Sequence, residues 1–146
     1  MKQTGLKLVV MVVLLLSFAA TVSAQSPASV GALLDQGGKQ LTGDEVSRLY
    51  SGATVSGVQI GRPGTKFSVA YKPDGTASGS ASWPGGNTNV SGSWSVNNVG
   101  QICNDFRNSS GGTIKGCNSL FRLGDKFYTA KTSDRAEPIY ERQYVR

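Results

Sequence analysis

From Ala53 onward apolar residues recur at every second position, the spacing of a strand with one buried face. TKFSVAYK is the clearest case, setting Phe67, Val69 and Tyr71 against Lys66, Ser68, Ala70 and Lys72. ATVSGVQI before it reads as another strand. KPDGT places Pro-Asp-Gly between two extended runs and predicts a turn. Next come TASGSASW, a looser connection at PGGN, and the strand NVSGSWSV. NNVG predicts a hairpin turn because Asn and Gly tolerate positive φ. QICNDFR, TIKGCNSLFRL, KFYTAK and the tail EPIYERQYV complete the extended segments, with NSSGG and Gly124-Asp125 between them. About seven or eight strands at this spacing predict a mainly β fold, a small antiparallel meander closed as a barrel or packed as a sandwich. A calycin- or lipocalin-like barrel is the favoured form, since closure removes edge strands and the short connections leave no room for parallel crossovers.

Ahead of the strands the period is helical. In LTGDEVSRLYSG, Thr42 at the N-cap and Glu45 three residues later form a capping box, with Leu41 and Val46 as the hydrophobic staple. Asp44 suits the positive end of the helix dipole, and Gly52 suits the stop. Val46, Leu49 and Tyr50 share one face, which predicts one short helix acting as a lid on the core. Residues 25–40, rich in loop formers, are expected to be a flexible lead-in, with 41–146 as a single barrel-like domain.

The first residues follow another logic. MKQTGLK, then LVVMVVLLLSFAA, then TVSA have the basic start, apolar run and small-residue exit of a secretory signal peptide. Cleavage is expected after Ala24, so that 1–24 is the signal and Gln25 the mature N-terminus. No later segment is apolar enough to span a membrane, and the expected location is exported, periplasmic or secreted. Losing Lys2 and Lys7 lowers the net charge from +6 to +4. The remaining cations are scattered among acids with no basic, aromatic-lined stripe, which argues against nucleic acid as a partner.

Two cysteines, Cys103 and Cys117, are expected to form a disulfide in an oxidising compartment. With no histidine anywhere, no metal site is expected. The same absence removes Ser-His-Asp and Cys-His catalysis. Of the carboxylates, Asp74 and Asp125 sit in predicted turns, and Asp105 is placed to pair with Arg107; Asp134 completes the candidates for acid–base work. Trp83, at a strand end before Pro84-Gly85-Gly86, is the best exposed aromatic, whereas Trp94 is expected in the core. Tyr71, Trp83, Ser78 and Gly79 are the candidate ligand or partner contacts. No cofactor is expected.

The order LTGDEVSRLYSGATVSG, YKPDGTASGSA, GSWSV and ICNDF, with a second cysteine before LFRLGDKFY, resembles small exported proteobacterial proteins of a domain-of-unknown-function family. The likeness runs from Leu41 to about Thr129. It implies an exported β-rich domain with no assigned catalytic residues; Asn104-Asp105-Phe106 departs from the aromatic expected after the first cysteine. Two functions stay open. One is a noncatalytic barrel in the cell envelope that binds a small apolar or amphipathic ligand. The other is a protein-binding module, such as a lysozyme-inhibitor-like barrel, that presents Ser78-Gly79 and the PGGN loop to an envelope protein.

Overall fold

The computed structural model describes residues 25–146, and the expected signal segment lies outside the described residues. Nine strands and two short helices follow one another. They are α1 (Val30–Asp35), β1 (Lys39–Gln40), α2 (Gly43–Tyr50), β2 (Thr54–Val58), β3 (Lys66–Tyr71) and β4 (Thr76–Trp83), then β5 (Gly86–Val96), β6 (Ile102–Asn108), β7 (Thr113–Leu123), β8 (Lys126–Ala130) and β9 (Tyr140–Val145). Strands β2 to β8 pair antiparallel with their chain neighbours, β8 pairs with β9, and β9 returns to β2. The result is a closed up-and-down barrel of eight strands, with β1 as an additional strand.

The alternation in the sequence decides which residues enter this barrel. Val69 and Tyr71 on β3, Ala77 on β4, Val90 on β5, Phe106 on β6 and Leu120 on β7 belong to one buried cluster. The turns behave largely as their residues predict. Lys72 and Thr76 close the β3–β4 hairpin across Gly75, whose φ of 85° is costly for any side chain. The connection at PGGN is tighter than expected. Trp83 pairs directly with Gly86, leaving Pro84 and Gly85 as a two-residue turn that suits the fixed φ of proline and the positive φ of glycine.

The stretch 25–40 is not a free lead-in. Ser29 caps α1, and Val30 and Leu33 are fully buried against Phe121, Tyr128 and Ala130 on the outer face of β7 and β8. Its short apolar patch therefore has a target that only the folded barrel supplies. β1 then pairs with β7 at Phe121 and Arg122, beyond the point where the pairing with β6 ends at Asn118. It covers an edge that the 11-residue β7 would otherwise leave open.

Candidate functional site

Helix α2 closes one end of the barrel. Its capping box forms as expected: the Glu45 amide donates to Thr42 Oγ1 at 3.3 Å, and the Thr42 amide donates to Glu45 Oε2 at 2.9 Å. Lys39 adds an ion pair to Glu45 at 2.9 Å. The backbone hydrogen bond from Thr42 and the Lys39 contact hold the Glu45 carboxyl down at about 2. This cap starts the helix at a defined residue, so Val46 and Tyr50 come to lie on the barrel side, both buried. The Tyr50 ring stands edge-on to Tyr71 at 4.7 Å and to Tyr144 at 5.5 Å. Trp94 lies tilted beside it at 6.2 Å and donates its indole N–H to the Lys72 carbonyl at 2.9 Å. Trp94 is thus half-buried at the edge of the core, with its polar edge satisfied. These aromatics make a floor.

Above that floor the barrel is hollow. A cavity of about 750 Å³ reaches from Tyr50 and Tyr71 to the opposite strand ends. Phe67, Val69, Val90, Phe106 and Ile114 form its apolar walls. Gln59 to Gly61, Lys115, Lys131 and Glu137 border it at the far end. A small residue on an inward position of β4 helps leave this space: Ala81 lines the cavity where a larger side chain would project into it. Of the carboxylates among the lining residues, only Glu137 is present.

One polar residue stands out inside. Arg142, on β9, is 6% exposed and lies in the wall of the cavity. Its guanidinium rests over Phe67 at 5.1 Å and Tyr140 at 5.8 Å, and Nη1 donates to the Glu141 carbonyl at 3.0 Å. Among the described residues no carboxylate forms an ion pair with it. Burial lowers its pKa from the ordinary arginine value, but a guanidinium keeps its proton in proteins. The neighbouring phenols do not compensate the charge. Burial pushes Tyr144 up to about 12 and raises Tyr50 and Tyr71 further, so all three are neutral at physiological pH. Tyr50 and Tyr144 influence each other's ionisation, yet the Tyr144 hydroxyl reaches no hydrogen-bond partner. Asn104 Oδ1 and Thr129 Oγ1, both on cavity-lining residues, are also buried without a protein partner. Unpaired polar groups of this kind cost about 1–3 kcal/mol each in a dry interior and point to a space occupied by water or a polar ligand group.

The residues singled out in the sequence do not converge. Tyr71 lies at the cavity floor. Trp83, 43% exposed, covers Gly86 at the β4–β5 turn and is not among the lining residues. Ser78 and Gly79 lie in the middle of β4, where they border a separate shallow depression with Ser91, Arg107 and Ser109. Neither they nor the two-residue Pro84-Gly85 turn form the protruding loop that a plug into an enzyme needs. Cys103 and Cys117 form a disulfide at directly paired positions of β6 and β7. Asp105 pairs with Lys115 across those strands at 2.8 Å, not with Arg107, because its neighbour in the ladder is closer than a residue two places along its own strand. Asp74 accepts from the Thr76 amide and hydroxyl, and Asp134 accepts from the Ala136 amide, so both serve their own turns.

Arg142 escaped the sequence reading as one of many scattered cations. The signal was nevertheless there: in YERQY the alternation puts Arg142 on the same face as Tyr140 and Tyr144. A cation between two aromatics on the face that closes a barrel is an inward charge. Fold and site together define a closed antiparallel β-barrel, hollow at one end and plugged by a capped helix at the other. Compared with models of known families, with curated proteins and with solved structures, the chain matches none.

Proposed function

We propose that this protein is an exported, noncatalytic barrel that takes up a small apolar or amphipathic ligand in its central cavity. The observation that carries the reading is the hollow itself, about 750 Å³ with walls of Phe, Val and Ile in an eight-stranded barrel. Barrels of this strand number are just wide enough to enclose one small molecule, and ligand sites commonly measure about 300–1,000 Å³. The cavity lining holds a single carboxylate, Glu137, where carboxylate-based hydrolysis needs two that converge. The disulfide and the signal-like first residues support a place in the oxidising cell envelope. The resemblance to small exported proteobacterial proteins agrees with that location.

The test is uptake of the uncharged fluorophore N-phenyl-1-naphthylamine, whose emission rises in apolar surroundings. Wild-type protein is expected to bind it at one saturable site. Val90→Trp, which fills the cavity from its wall, is expected to abolish uptake while retaining the barrel's circular dichroism. Equal emission with both folded proteins would show that the probe binds elsewhere and that the cavity is not a binding site.

A further inference from the structure

We infer that the cavity selects an amphiphile with an anionic head, and that Arg142 receives a carboxylate inside the barrel while the apolar tail lies against Phe67, Val69, Val90 and Phe106. This deepens the proposal that the cavity binds a ligand and rests on it. The starting observation is that Arg142 is 94% buried by its 6% exposure, lines the cavity, and has no acidic partner among the described residues. A buried cation without a counter-charge is among the costliest groups a fold can hold, because desolvation is repaid only by close charge and hydrogen-bond partners. Here one guanidinium nitrogen meets a backbone carbonyl, at 3.0 Å, and two aromatic faces supply the rest. Most of the N–H donors are left for a ligand.

Several features set the head in place. Gly57 pairs with Arg142, and a Cβ there would lie 2.8 Å from Nη1, so the absence of a side chain makes room for the guanidinium. On the neighbouring strand β8, the ladder sets Thr129 opposite Tyr140, one inward position from Arg142. The Thr129 hydroxyl is buried and unpartnered, and it can donate to an anion that the guanidinium already holds. A planar carboxylate matches the guanidinium fork and carries the single charge that one arginine offsets. Tyr50, Tyr71 and Tyr144 are neutral and cannot play that part themselves. At the mouth, Lys115 is already paired with Asp105, and Lys131 and Glu137 carry opposite signs, which leaves discrimination between charged and neutral ligands to Arg142.

The experiment compares decanoate with decanol, which share a tail and differ in the head, by calorimetric titration near pH 7. Wild-type protein is expected to bind decanoate at least about tenfold more tightly, the range of a hydrogen-bonded charge pair over a neutral one. Arg142→Met is expected to erase that difference and to keep decanol binding. Thr129→Val, close in shape, is expected to weaken decanoate about threefold or more and leave decanol unchanged; it carries the test if the arginine variant does not fold. Equal affinity of the wild type for the two ligands would overturn the head-group assignment while leaving the cavity as a binding site. Failure of both to bind would overturn the cavity reading and this inference with it. A preference for decanoate that survives Arg142→Met would place the anion elsewhere and refute the role of the arginine.

Discussion

Replacing Gly79 by alanine tests how the barrel is built and what this residue is for. An ideal Cβ on Gly79 would meet the Ser68 carbonyl oxygen and lie 2.6 Å from Val69 Cα and 2.9 Å from Ser68 C. All three atoms are backbone of β3, the strand paired with β4 at this point. A side chain end could rotate away, but a ladder strand can only shift as a unit or lose hydrogen bonds. Overpacking of a well-packed interior costs about 1–3 kcal/mol when side chains absorb it, so about 3 kcal/mol is expected here. For a domain of this size that is a fall of roughly 10 °C in melting temperature. Gly116→Ala is the control, because a Cβ there meets nothing within 4 Å. It is expected to gain about 0.5–1 kcal/mol, as the alanine chain loses less freedom on folding than glycine does. Urea unfolding with an unchanged m-value measures both. If Gly79→Ala is as stable as Gly116→Ala, the close approach of β3 and β4 is not a constraint. Were Gly79 instead a partner contact, the alanine variant would keep its stability and change only binding.

Three further outcomes follow from packing, covalent closure and titration. Cys103→Ser should lower stability by about 3 kcal/mol, the chain-entropy value for a loop of this length, and reductant should lower the wild type equally; no effect of reductant would refute a stabilising bridge. Leu33→Ala should cost about 2–5 kcal/mol in urea unfolding, because Leu33 is fully buried where α1 meets the outer barrel wall; a loss under 0.5 kcal/mol would mean that α1 does not dock there in solution. Glu45 has its carboxyl depressed from an ordinary 4.5 to about 2, so its stabilising contribution is complete above 4.5 and is lost as pH falls toward 2. Its side-chain carbon resonance should titrate in that low range, and Glu45→Gln should lack this part of the acid-induced loss; a midpoint near 4.5 would refute the capping box.

Much of the barrel was legible because its causes are local. Alternation at Phe67, Val69 and Tyr71 names the buried face of a strand wherever that strand ends up. Thr42 and Glu45 meet within one helical turn, and Pro-Asp-Gly closes its own hairpin. The helix α1 was not legible, since Val30 to Leu34 form only a short apolar patch whose value depends on Phe121 and Tyr128, about ninety residues downstream. The mid-strand place of Ser78 and Gly79 has a similar origin. A Ser-Gly-Ser run carries no apolar alternation to mark it as a strand, and pairing with β3 and β5 is what holds it extended in mid-strand.

The sequence by itself determined the alternating strands, their turns, the capped helix and the pair of cysteines, because each depends on spacings within a few residues. The tertiary structure decided that β9 returns to β2 and closes the ring, that the closed ring encloses a hollow, and that Arg142 ends in its wall with no carboxylate paired to it among the described residues. Those outcomes depend on which distant faces meet. Burial and desolvation, the forces that turn one cation among many into the most consequential polar group of the cavity, come into being only when the barrel closes.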